Sequence, residues 1–148
     1  MFSRLPDLYL AALAGFVLFF TLATPAQAAR LVVAIQGIRS AAGYVYVGLF
    51  AKPEGFPDGN YSVQHTKVKA SAEGVTVVFD KVVAGTYAVG VYYGRINNGR
   101  FDTDFLGYPA EGYALSNGIR AVLTCPRFSD AAFPVGSVDA YIRVDVKY

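Results

Sequence analysis

Thr86-Tyr87-Ala88-Val89-Gly90-Val91-Tyr92-Tyr93 decides the fold class of this chain. In an extended segment Tyr87, Val89, Val91 and Tyr93 share one face, and Ala88, Gly90 and Tyr92 share the other. β-Branched and aromatic residues fit a pleated, half-buried surface. The small residues on the second face predict either a closely packed neighbour or a bulge.

Working outward, the same signal recurs. Leu31-Val32-Val33-Ala34-Ile35 is a short apolar run ended by Gly37. Tyr44-Val45-Tyr46-Val47-Gly48-Leu49-Phe50 carries large apolar groups on both faces, which predicts a central strand. Joined by a short Gly-containing link that ends in Ala41-Ala42-Gly43, these two runs read as a hairpin. Lys52 to Asn60 is a loop, punctuated by Pro53, Gly55, Pro57 and Asp58-Gly59. Gln64 to Ala70 reads as an edge strand whose Lys67 and Lys69 discourage edge-to-edge pairing, with a short helix over part of Ser62 to Lys69 as the alternative. Val75-Thr76-Val77-Val78-Phe79 follows Gly74. In the last strand, Val138, Ala140, Ile142, Val144 and Val146 point inward, while Asp139, Tyr141, Arg143, Asp145 and Lys147 face water. That alternation fits an antiparallel sheet solvated on one side. Six or seven short strands without helical periodicity predict an all-β domain, an antiparallel β-sandwich of about seven strands. A barrel is the alternative.

The first 28 residues read as a targeting signal. Arg4 precedes the apolar run from Leu8 to Leu22, and Thr24-Pro25-Ala26-Gln27-Ala28 supplies a small-residue cleavage site. A membrane anchor would need about 20 apolar residues, more than this run offers. The expectation is a secretory signal peptide over 1–28, cut after Ala28, and one periplasmic or secreted domain over 29–148 without a membrane anchor. Arg4 and Asp7 cancel, so the formal charge of +2 is kept after cleavage. No basic run points to nucleic acid. The single Cys, Cys125, cannot form an internal disulfide, so it is either buried or an intermolecular link.

Between the strong strand and the last one lies a segment rich in Tyr, Gly, Asn and Asp, Tyr92 to Asn117. Long ordered loops in compact domains are commonly functional. Tyr and Gly together form either a contact surface or a private mini-core. Tyr93, Arg95, Tyr108, Glu111, Tyr113 and Asn117 are the candidate ligand or partner contacts. Glu111 has Arg95, Arg100 and Arg120 as candidate ion-pair partners.

Several motifs combine here. They are Gly85-x-Tyr87-Ala88-Val89, Asn98-Gly99-x-x-Asp102, Phe105-Leu106-Gly107-x-Pro109-x-Glu111-Gly112-Tyr113, Ser116-Asn117, and Pro126-x-Phe128-x-Asp130-Ala131-x-Phe133. Together they resemble DUF2141, a bacterial family of exported domains without an established function. The opening Gly37-Ile38-Arg39-Ser40 to Gly43 fits too. The resemblance implies an immunoglobulin-like or transthyretin-like sandwich and no mechanism. In that family the loop usually begins Asp-x-Asn-x-Asn-Gly-x-x-Asp, which is similar to the start of a calcium loop. Asn98, Gly99 and Asp102 match, and Asp104 adds an oxygen donor. Gly94 and Ile96 stand where two oxygen ligands belong, and Phe105 stands where a bidentate Glu would. A calcium-binding module through Asn98, Asp102 and Asp104 is therefore the weaker alternative to a contact surface.

Enzyme readings lack parts. His65 is the only His, no G-x-S-x-G context surrounds Ser116, and the spacing of Asp102 and Glu111 does not define a carboxylate pair. A small hydrolase ranks last. The expectation is a non-catalytic exported domain that uses the 92–117 segment to bind a protein or an envelope component.

Overall fold

The structure is a computed structural model and describes residues 21–22, 27–94, 112–120 and 126–148. Eight strands form among the described residues. They are Ala29–Gln36 (β1), Tyr44–Phe50 (β2), Gln64–Lys69 (β3), Val75–Val82 (β4), Gly85–Gly94 (β5), Tyr113–Leu115 (β6), Phe133–Val135 (β7) and Ala140–Asp145 (β8). One short helix, Phe128–Ala131 (α1), precedes β7, and 3-10 turns occupy Gly59–Tyr61 and Ser116–Gly118. The protein is all-β, with two main sheets. One runs β4-β1-β8; the other runs β3-β2-β5-β6, and β7 also pairs with β5.

The core draws on both sheets. Leu31, Val33 and Ile35 of β1 cluster with Val45, Val47 and Leu49 of β2 and with Val89 and Val91 of β5. β2 is central as expected, lying between β3 and β5 with every residue from Val45 to Phe50 buried. β3 is the edge strand that its alternating lysines predicted, and no helix forms in it. β5 pairs with β2 in unbroken register from Ala88 to Gly94, so the small face of β5 reflects close packing and not a bulge. A Cβ on Gly90 would lie 3.3 Å from the Phe50 ring. Phe50 and Ala88 start a second cluster outside that sheet, where Phe56 and Phe128 close over them. Phe56 meets Phe50 and Phe128 edge-on, with centroids 5.1 and 5.8 Å away.

Three expectations are corrected. β1 and β2 are not a hairpin: β1 pairs with β4 and β8, and β2 with β3 and β5, so the chain changes sheet at Gly37 to Gly43. Gly37 and Gly43 both have positive φ there, +79° and +88°, a conformation that opens a turn at little cost for glycine alone. The sheets are also not wholly antiparallel, since β1 and β8 run parallel from Leu31↔Ala140 to Gln36↔Asp145. Alternation reports which face of a strand is buried, not the direction of its neighbour. Finally, Val138 does not continue the inward face of the last strand. β8 starts at Ala140, and Val138 is 75% exposed.

The start of β1 is tied to the approach to β8 by one ion pair. The Arg30 backbone N–H donates to Asp139 Oδ1 at 2.9 Å, and its guanidinium donates twice to Oδ2, at 3.1 and 2.9 Å. The hydrogen bond from the Arg30 backbone, then those from its side chain, hold the Asp139 carboxyl below its ordinary range. A carboxyl depressed in this way stabilises the fold above its unfolded pKa, and loses that contribution as pH falls through its folded pKa. Asp139→Asn should therefore melt slightly below the wild type at pH 7, and the gap should close as pH falls below 3.8. A gap of constant size across an acid series of melting curves would refute this. The effect is small because exposed pairs contribute little.

Candidate functional site

The segment singled out in the sequence begins as sheet, and returns to sheet just before its end. β5 continues through Tyr92 and Tyr93 to Gly94, and β6 returns against it with Tyr92 opposite Tyr113 and Gly90 opposite Leu115. Arg95, Tyr108 and Glu111, and the metal candidates Asn98, Asp102 and Asp104, lie outside the described residues. Among the described residues, no three His, Cys, Asp or Glu side chains converge.

Tyr93, Tyr113 and Asn117 separate into different surroundings. Tyr93 is 2% exposed and belongs to the main core. Its hydroxyl donates to the Ala42 carbonyl at 2.7 Å, and Tyr148 meets its ring edge-on. Burial corrects the expectation that it offers a contact surface: odd residues of β5 face the core, so Tyr93 must too. Tyr113 is half-buried on the opposite face of the sheet, across from Tyr92. Asn117 is exposed, in the left-handed region at φ 61°. Its amide N–H groups donate to the carbonyls of Asp130 and Ala132, at 3.1 and 2.9 Å.

Ser116 works beside it. Its Oγ accepts from Val89 N–H at 3.0 Å and donates to the Ala131 carbonyl at 2.5 Å, in a site 2% exposed. β6 stops pairing with β5 at Leu115, and β7 takes up Gly85 to Tyr87. Ser116 thus satisfies the backbone N–H left between the two partners. The Ser116-Asn117 pair and the Phe128-to-Phe133 run are two halves of one clasp.

Beyond that clasp the seam between the sheets opens. Tyr113 and Lys147 exchange backbone bonds of 2.9 and 2.7 Å, and the two chains then diverge as Ser116–Gly118 turns away. The wedge left between that turn and β8 is a cleft of about 530 Å³. Asn117, Arg120, Arg143, Asp145 and Lys147 line it, with Phe133 and Ile142 as its apolar part. Among the described residues, three cations face one carboxylate. Arg143 donates to Asp145 through Nη2 at 3.0 Å and Nε at 3.3 Å, an exposed pair. Arg120 and Lys147 form no ion pair with a described residue. Of these residues only Asn117 was a contact candidate from sequence. Arg143 and Lys147 read simply as the wet face of a strand. Only the folding of β8 beside the 116–120 turn brings them to Arg120.

The chain matches the family described as uncharacterized protein conserved in bacteria (DUF2141) over residues 33–143. The chain belongs to that family. No curated protein and no solved structure matches it.

Proposed function

We propose that this chain is an exported, non-catalytic β-sandwich of the immunoglobulin-like or transthyretin-like kind. It binds a protein or envelope component through the surface at the end of the 92–117 segment. The observation that carries the proposal is the cleft between Ser116–Arg120 and β8, where cationic side chains outnumber carboxylates among the described residues. Concave sites with a few convergent polar groups are where ligands bind, and like charges gathered in one cleft raise the encounter rate with an opposite charge. Export is supported by the signal pattern of residues 1–28, and β1 begins at Ala29, just past the expected cut. A sandwich is supported by one core shared between two sheets.

The test is sedimentation of the domain with fractionated bacterial envelope at moderate salt. Arg120→Glu combined with Lys147→Glu should lower the bound fraction about tenfold, equivalent to about 1.4 kcal/mol. The melting temperature should barely move, since exposed substitutions away from special features cost about 0.5 kcal/mol or less. Equal sedimentation of the wild type and the double variant would overturn the proposal.

A further inference from the structure

We infer that the cleft accepts an extended peptide of alternating acidic and apolar residues, added as a further strand along the edge of β8 that no described strand pairs. This rests on the binding role proposed above and names its partner's chemistry. β8 ends its sheet in the order β4-β1-β8. Its bonds from Ala140 to Asp145 go to β1, and Val146 N–H continues that ladder to the Gln36 carbonyl at 2.8 Å. Backbone groups alternate in direction along a strand. Lys147, one residue on, points its N–H and C=O the other way, to Tyr113. By the same parity the backbone groups of Arg143 and Asp145 point away from β1, into the cleft that both residues line. Tyr113 and Lys147 therefore form the first rung of a ladder that no described residue continues. Leu115 and Asn117 would supply the next rungs opposite Asp145 and Arg143, but Ser116 and Asn117 are committed to the clasp.

An exposed strand edge with unpaired backbone groups is a template for another strand, with main-chain bonds giving affinity and alternate side chains giving specificity. The alternation here is legible. Arg143, Asp145 and Lys147 share one face of β8, with Asp145 already paired to Arg143, and Arg120 lies across the cleft, so acidic residues on that face of the incoming strand meet a net positive charge. Ile142, half-buried on the other face with Phe133 nearby, receives its apolar residues.

The probe is a short labelled peptide alternating valine and glutamate, followed by fluorescence anisotropy and by amide exchange of the domain. Saturable binding is expected, with the amides of Arg143 and Asp145 protected. A version N-methylated at alternate amides should bind about tenfold or more weaker, as should a valine–lysine version and the variant Arg143→Gln/Lys147→Gln. Equal binding of the N-methylated peptide would reduce the site to charge alone and overturn strand addition. So would equal binding of the lysine peptide, competition by inorganic phosphate at the peptide's own concentration, or absence of binding. A dimer in the ultracentrifuge with those same amides protected would assign the edge to a second copy and also overturn it. If the peptide fails while envelope sedimentation still depends on Arg120 and Lys147, the acidic-strand inference falls alone. If both fail, the binding role falls with it.

Discussion

Gly112→Ala should lower the stability of the domain by about 2–3 kcal/mol, the upper range for overpacking a filled interior. A Cβ at position 112 would sit 2.2 Å from Val146 Cγ1 and 2.9 Å from the Tyr148 ring, inside any attainable contact. Neither neighbour yields easily. Val146 is 5% exposed and stiff at χ1, and its own N–H is bonded to Gln36. Tyr148 is pinned because its hydroxyl accepts from Arg39 N–H at 2.9 Å and donates to the Gly37 carbonyl at 3.1 Å, while the Arg39 guanidinium lies 3.9 Å above its ring. Moving Gly112 instead would strain the bond that its carbonyl accepts from Tyr93 N–H, 2.8 Å long. In a domain of this size the loss corresponds to roughly 6–15 °C in melting temperature. The companion change Tyr148→Ala removes part of the obstruction, so the double variant should lose less than the sum of the two singles. Strict additivity in a double-mutant cycle would show that position 112 is not governed by this contact. The Glu-Gly-Tyr element of the family thus has a physical reading in its glycine, which lets the β6 approach close on the C-terminal strand.

Ser116→Ala should cost about 2–4 kcal/mol. The hydroxyl is buried and holds two backbone groups at once, Val89 N–H and the Ala131 carbonyl. Each buried group stripped of its partner costs about 1–3 kcal/mol. The clasp should loosen locally, so amide exchange should rise first at Val89 and around α1, before global unfolding. Asn117→Ala should act in the same direction by a smaller amount. Its two carbonyl partners are near the surface and can turn to water. A Ser116→Ala protein with unchanged exchange at Val89 would sink the clasp.

Much of this architecture can be read along the chain. The alternation in β5 and β8, the two-faced apolarity of β2 and the lysines of β3 are local properties. Each reports how many faces of its own strand are covered, because side chains alternate with period two. The motif string was equally legible, and it marked Gly112, Ser116 and Asn117 long before their contacts were visible. Sequence could not report what each motif touches. In sequence Tyr93 resembles the neighbouring candidate contact tyrosines, yet its place on the inward face of β5 makes it core. The direction of β8 against β1, 109 residues apart where Arg30 meets Asp139, leaves no trace in either strand's pattern.

The amino-acid sequence by itself determined the fold class, most strand positions and the family, since these follow from periodicity, turn chemistry and motif order. Tertiary structure decided the sheet change between β1 and β2, the parallel β1–β8 pairing, the clasp and the cationic cleft. Those depend on which distant backbone groups satisfy one another, and on where a ladder stops. Arg120, Arg143 and Lys147 line one cleft only because Ser116 bonds to Val89 and Ala131, turning the chain away from β8.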